Sequence, residues 1–248
     1  MQATTDTYKF ILRNPGHLKE HRAFVAGVEY GPSDIVTEAD TPGSYLKQLP
    51  LVTGFLYPDS VPSIGGCVAR QLDIMIRPKG DVPRMAEIKL ETRLVLRDPL
   101  TGANIQVSEW IPKGTFYIDT RETDKVTGVM TIHGYDAMLK AEQPFLTETT
   151  EDDWPKPMDE VVEEIAERMG VTVDSRTVVS HTMQAGYPLE YTMREVLGFI
   201  ASAHAGNWII TDAGELRLVG LADIPPETFY LVTEDGDAIL FGDTRILI

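Results

Sequence analysis

Along residues 86–97 apolar and polar side chains alternate: Ala86, Ile88, Leu90, Thr92, Leu94 and Leu96 fall on one face, with Glu87, Lys89, Glu91, Arg93, Val95 and Arg97 on the other. A period of two predicts a long β-strand with one buried face. Residues 98–102 (D-P-L-T-G) carry turn chemistry, because proline fixes φ and glycine accepts φ > 0. Residues 104–110 return as the partner strand of a hairpin. Upstream, Val68, Leu72, Ile74 and Ile76 fall on alternate positions with Arg70 among them, and R-P-K-G at 77–80 ends the run. Downstream, strands at 114–119 and 129–133 flank a turn at 124–128 and make a second hairpin. Residues 64–134 are therefore predicted to be almost wholly β. Residues 8–12 and 22–30 read as short strands, and 35–62 as loops and edge pieces.

The period changes near residue 145. Residues 147–157 combine threonines, acidic residues and prolines, a composition that joins domains. Beyond them Met158, Val161, Val162, Ile165, Ala166 and Met169 recur at helical spacing, and Gly170 stops the helix. Thr192 opens a second helix as N-cap, with Glu195 completing a capping box and Tyr191 placed to staple onto Val196. Its core face is Val196, Leu197, Ile200, Ala201 and His204. A small hairpin follows at 208–211 and 216–221. After Pro225-Pro226 the pattern returns to strand at 228–233 and 238–241. The expected units are a β-rich, barrel-like domain over 1–146, a small α+β domain over 147–224 (helices about 158–169 and 193–205, hairpin about 207–221), and return strands over 225–248. The apolar Ile246-Leu247-Ile248 predicts a chain that continues, or an end that docks.

Length and charge narrow the function classes. The 248 residues suffice for one large domain or two smaller ones with a sizeable core. Thirty-eight acidic residues against twenty-two basic ones give a net charge of −16, which opposes specific nucleic-acid binding, since phosphate contact needs a cationic face. A single cysteine, Cys67, leaves no internal disulfide and no four-cysteine zinc site. No apolar run reaches the roughly 18 residues of a membrane span, and the first nine residues lack a signal-peptide core, so a soluble chain is expected.

Catalytic and metal signatures are absent from the sequence: there is no P-loop, dinucleotide fingerprint, H-E-x-x-H or G-x-S-x-G. Cys67, after Gly65-Gly66, could act as a thiol nucleophile with His133 or His181 as base, but a tight turn leading a half-buried residue into a strand explains it better. Glu148, Glu151, Asp152 and Asp153, and again Glu234, Asp235 and Asp237, could hold Ca²⁺ or act as paired carboxylates. Neither cluster has EF-hand spacing, so both read as solvated loops. His133 reads as a hydrogen-bonded strand residue and His204 as a satisfied group on a helix face. His17 and His21 stand four apart, but Pro15 and Gly16 place them in a loop rather than a metal-holding helix. Trp110, Trp154 and Trp208 would favour a carbohydrate-binding module if their rings were exposed together, yet Trp208 opens a hairpin and is expected in the core.

Two stretches carry a family resemblance. Residues 110–118 (W-I-P-K-G-T-F-Y-I), with Gly114 and Phe116, followed by Gly134, Tyr135, Asp136 and Met138 in G-Y-D-A-M and then Q-P-F at 143–145, resemble a segment of bacteriophage tail-hub proteins. The region 187–219, with T-M-R-E-V-L at 192–197 (Thr192, Glu195 and Leu197 among them), then Ile200-Ala201, G-N-W at 206–208 ending on Trp208, and G-E-L-R-L at 214–218, is similar to the helix-plus-hairpin region that follows it in those proteins. The likeness extends to residues 63–68, covers roughly 63–221, and is structural rather than catalytic. It implies an α+β, mainly β chain: β-barrel-like domains with an inserted helix-plus-hairpin domain. It also implies a homotrimeric hub ring at a phage or prophage tail tip or baseplate, around a channel that DNA passes through without specific binding. Its neighbours would be distal tail or tube, tape-measure and fibre or spike proteins. The protein would be made in the host cytoplasm and reside in the virion, with no cofactor and no metal. Family members often continue into a hydrolase or receptor-binding region. Nothing in these residues supplies a hydrolase site, so no enzymatic activity is expected. The competing readings are a cell-wall-degrading enzyme and a carbohydrate- or receptor-binding module.

Overall fold

The computed structural model describes residues 4–36, 50–54, 56, 63–98, 100–146, 154–181 and 184–220, together with the backbone of 240–241 and 244–245. The expected strands of 228–233 and most of 238–241 lie outside these residues. The chain is α+β and mainly β, as its patterning predicts.

The dominant element is an antiparallel sheet. Its strands are β1 (His17–Val25), β2 (Val28–Tyr30), β3 (Leu51–Thr53), β4 (Gln71–Ile76), β5 (Glu87–Arg97), β6 (Asn104–Val107), β7 (Ile111–Thr123) and β8 (Met130–Tyr135). They lie in the order β2-β1-β5-β7-β8-β4-β3, with β6 also on β5. Residues after β2 cross to the far side of this order: Ile35 bridges to Ile76, Val36 N donates to Met75 O (2.8 Å) and Arg77 N to Asp34 O (2.9 Å). Lys79 N donates to the Tyr30 hydroxyl (3.1 Å) and its Nζ to Glu29 O (2.8 Å). The two ends of the sheet are thus drawn together, which removes much of the free edge that an open sheet would expose. Inside lie Ala23, Val25, Leu72, Ile74, Ile76, Ile88, Leu90, Phe116, Ile118 and Ile132. Each such large side chain stabilises the fold by roughly 1.5–3 kcal/mol on burial.

Five expectations for the sheet are corrected. Residues 8–12 are not a strand but part of helix α1 (Asp6–Leu12), because the Thr5 hydroxyl caps it by accepting from Tyr8 N (3.2 Å) and Ile11 is the residue it buries. Residues 22–30 are not one strand: Ala26 (φ 50°) and Gly27 (φ 80°) form a two-residue turn with both φ positive, splitting β1 from β2. β1 starts at His17, so His17 and His21 sit on a strand, not in a loop. Val95, expected on the polar face, is fully buried where α1 lies against β5 and β6. The partner strand of β5 ends at Val107, since the Ser108 hydroxyl takes the Leu94 N–H (2.9 Å) in place of a backbone acceptor.

The elements between residues 137 and 220 form a second core. A 3-10 helix (Ala137–Glu142) leads to β9 (Lys156–Pro157), α2 (Met158–Met169), β10 (Gln184–Ala185), α3 (Met193–Ala203), β11 (Gly206–Ile210) and β12 (Leu216–Gly220); β13 (Leu240–Phe241) pairs with β14 (Thr244–Arg245). Helix α2 buries Val161, Val162, Ile165, Ala166 and Met169, and ends on Gly170 at φ 72°. The capping box at Thr192 and Glu195 is formed. The Tyr191 ring meets Phe199 edge-on at 5.0 Å, and Val196 is buried in the core. Helix α3 stops at Ala203, two residues before the expected end, because Ala205 takes φ 49°. Ala137, Met138, Ala141 and Phe145 pack into this core, with Cys67, Ala69 and Tyr117 against it.

Candidate functional site

Long-range hydrogen bonds converge on the joint between the sheet and the α2–α3 unit. Residues 63–68, between β3 and β4, run beside β11 as an added strand. Gly65 N donates to Gly206 O (2.8 Å), Trp208 N to Gly66 O (2.8 Å) and Val68 N to Trp208 O (3.1 Å). The Asn207 amide closes the ladder, accepting from Gly66 N (2.7 Å) and donating to Ser63 O (2.7 Å). Trp208 is fully buried, and its Nε1 donates to Leu197 O on α3 (2.8 Å).

Arg70 and Asp136 form the centre of the joint. Asp136 is fully buried; its Oδ1 caps the 3-10 helix by accepting from Met138 N (3.0 Å) and its Oδ2 accepts from Arg70 N (3.0 Å). Arg70 Nε stands 3.6 Å from the same carboxylate. The guanidinium bonds to Asp212, donates to Thr211 O (3.2 Å) and lies over the Phe116 ring (5.6 Å). Burial pushes the Asp136 carboxyl up to about 6, against the lowering effect of its N–H donors and of Arg70. Arg194 adds a second tie, donating to Cys67 O (3.2 Å) and Met138 O (3.2 Å) and pairing with Glu142 (2.8 Å).

The structure places the signature residues around this joint. A side chain at Gly114 (φ 130°) would stand 2.5 Å from the Arg70 guanidinium, and one at Gly134 would stand 2.6 Å from Tyr117 O. Phe116 and Met138 are fully buried, one in each core, while Tyr135 is half-buried with its ring edge-on to His133 at 4.9 Å. Thr192, Glu195, Leu197 and Trp208 belong to α3 and β11. Arg70 lies outside the signature segments, and Arg194 and Asn207, although they stand within the T-M-R-E-V-L and G-N-W stretches, read only as parts of a cap and a hairpin. Arg70, a charged residue within an apolar alternation, was the available signal.

The other candidates do not converge. Cys67 is half-buried with its thiol pushed up to about 12, chiefly by burial, and it donates to Arg194 O (3.4 Å). His133 pairs with Asp73 (2.7 Å) and His181 with Asp159 (2.9 Å), so each is engaged elsewhere. His204 caps α3, with Nδ1 on Ile200 O (2.8 Å) and Nε2 accepting from Ser180 N (3.0 Å). His17 contacts Asn14 O (2.6 Å) and His21 the Thr92 hydroxyl (2.9 Å). Burial, with Lys19 and Lys113 nearby, lowers His21 to about 4. The tryptophans are separated: Trp208 is in the core, Trp110 lies under Arg22 and Arg93 (4.6 and 4.4 Å), and Trp154 meets Phe145 and Tyr187. Glu148, Glu151, Asp152, Asp153, Glu234, Asp235 and Asp237 lie outside the described residues. Among the described residues no three metal-ligating side chains gather and no helix is long and apolar enough to cross a membrane. An open cleft of about 530 Å³ beside the joint is lined by Arg70, Arg176, Arg217, Asp212, Glu215 and the β11 end. Arg70 and Arg176 are already paired there, with Asp212 and Asp174.

No protein-family model and no curated protein matches this chain. Solved structures do. The tail protein from Neisseria meningitidis MC58 aligns with 91% of this chain at 13% identity and a TM-score of 0.51. The 43 kDa tail protein of prophage MuSo2 from Shewanella oneidensis aligns with 92% at 13% identity and a TM-score of 0.49. The chain spans 59% and 61% of the lengths of these two proteins. The expected likeness to phage tail proteins is met at the level of fold, which this chain shares with the Neisseria tail protein.

Proposed function

We propose that the chain is a structural component of a phage or prophage tail tip or baseplate, a subunit of a trimeric hub ring around the DNA channel that links the tail tube to tip or fibre proteins. The observation that carries this reading is the fold shared with the Neisseria tail protein over nine-tenths of the chain. The joint at Arg70, Asp136 and Trp208 supports it, since a subunit of a ring needs its two cores fixed to each other. The units are the barrel-like module of 1–146, the α+β unit of 147–224 and the return strands of 225–248. Distal tail or tube, tape-measure and fibre or spike proteins are its neighbours. The protein is made in the host cytoplasm, resides in the virion and performs no catalysis. A net charge of −16 suits a channel wall, because a surface that repels phosphate lets DNA pass without sticking. The separation of the three tryptophans disfavours the carbohydrate-binding alternative.

Light scattering over a concentration series, with negative-stain images of the largest species, tests the proposal. Threefold rings with a central hole are expected; a strict monomer, or an assembly without a hole, contradicts the ring.

A further inference from the structure

The two turns of the main sheet are the same device. Residues 98–103 and 124–129 share the pattern D-x-[LV]-T-G, and each aspartate carboxylate accepts from the N–H two residues on: Leu100 N (2.8 Å) and Val126 N (2.8 Å). In each, the glycine N–H returns to the aspartate carbonyl (2.8 Å in both), and the threonine hydroxyl accepts from the residue two beyond it (3.3 Å in both). The glycines stand at φ 70° and 69°. Each hydrogen-bonded turn holds one aliphatic side chain out in water: Leu100 and Val126 are both 94% exposed. A preformed turn loses little conformational entropy on docking.

The same chain carries a receptacle. Gly65, Cys67, Arg194, Glu195, Gly198 and Phe199 line an open groove of about 360 Å³ beside α3. Two glycines shape it: a side chain at Gly198 would stand 2.9 Å from Gly65 O. Its surroundings are apolar and uncovered, with Phe199 54% exposed, Ile64 48% and Tyr191 42%. Charge selects between the knobs. Lys125, next to Val126, has no ion-pair partner among the described residues, and the groove carries the exposed Glu195, with the half-exposed Glu142 paired to Arg194 beside it. Leu100 has no lysine beside it, and Arg97 at its base is already held by Glu20 (2.8 Å).

We infer that Val126 of one copy of this chain docks in the Gly65–Gly198 groove of the next, with Lys125 facing the acidic rim. Knob and groove lie on different parts of the molecule, so the contact is head-to-tail, the kind that closes into a ring when its rotation permits. The inference rests on the self-assembling reading above and names a contact within it.

Light scattering on the full chain and on Val126→Asp and Leu100→Asp tests it. Both sites are fully exposed, so the variants keep the wild-type melting temperature. Val126→Asp is expected to lower the apparent association constant at least tenfold, and Leu100→Asp to leave it unchanged. A benzophenone amino acid at position 126, photolysed in a mixture of isotopically light and heavy copies, is expected to give intermolecular adducts on residues 63–67 or 194–199. If the wild type assembles but Val126→Asp assembles equally well, or the adducts map elsewhere, this contact is overturned while the ring reading stands. A wild type that stays monomeric throughout overturns both.

Discussion

Arg70 and Asp136 meet where the polypeptide passes from one core to the other, and the carboxylate is held by the backbone N–H of the same arginine whose guanidinium stands 3.6 Å away. The pair is buried, so its value lies mainly in what happens when one partner is lost: an uncompensated charge costs about 3–5 kcal/mol. Arg70→Met is expected to destabilise by that order at pH 7.5, measured by urea unfolding. The pH dependence is specific. Folding raises the Asp136 carboxyl from 3.8 to about 6, so between those values the native state binds more protons than the unfolded chain. This contribution to stability therefore falls as pH rises from about 4 to about 6 and is flat above. Arg70→Met should cost less at pH 5 than at pH 7.5, and Asp136→Asn should remove the slope while costing about 1–3 kcal/mol through the lost acceptor for Arg70 N.

Trp208 fills the second core and satisfies a carbonyl of α3 at once. Trp208→Ala is expected to cost about 3–5 kcal/mol, and Trp208→Phe, which keeps most of the packing but loses the bond to Leu197 O, about 1–2 kcal/mol. Thr192→Ala removes the capping hydroxyl and is expected to cost about 1 kcal/mol. Thermal unfolding followed by tryptophan fluorescence and circular dichroism ranks the variants, and a Trp208→Ala cost no larger than that of Thr192→Ala would contradict its place in the core.

The strands β4, β5, β7 and β8, both long helices and the capping box were legible because each is written in local periodicity or in a residue pair three apart. The failures were tertiary. Residues 8–12 alternate like a strand, but Thr5 caps them and Ile11 has a core to enter, so a helix forms. Val95 reads as a polar-side position until α1 arrives to cover it. The joint was visible only as turns and caps around Gly114, Gly134 and Asp136. The residues that give those positions meaning, Arg70, Arg194 and Asn207, reach partners 56 to 144 positions away, and no local pattern encodes such a contact. Residues 63–68 read as a turn because their strand partner, β11, lies far along the chain.

His21 makes a second titration, opposite in sign to that of Asp136. Its folded value of about 4 lies below the usual 6.5 because burial and two nearby lysines disfavour the charged ring. Between those values the unfolded chain binds the proton and the native state does not, so stability is full above about pH 6.5 and is lost as pH falls toward 4. The loss is on the order of 3 kcal/mol. Histidine chemical shifts followed by NMR titration should place the His21 midpoint near 4, and His21→Gln should flatten the stability profile between pH 4 and 6.5. An unchanged slope in that variant would assign the titration to other groups.

Gly134 separates two reasons for glycine. A side chain there would stand 2.6 Å from Tyr117 O, a backbone atom of β7 where the β7–β8 register shifts between Ile118 and Thr120. Backbone cannot rotate away as a side chain can, so the strands must part or slip, and the neighbouring Asp136 would move with them. Gly134→Ala is expected to cost about 2 kcal/mol or more. Gly102, by contrast, has nothing within 4 Å of such a side chain and needs glycine only for its φ of 70°. Gly102→Ala is expected to cost about 1 kcal/mol, the ordinary penalty for an L-residue in the left-handed region. Denaturant melts of the two variants decide the point: equal losses would show that the close approach to Tyr117 relaxes freely, whereas the larger loss at Gly134 identifies this contact as what fixes the β7 bulge.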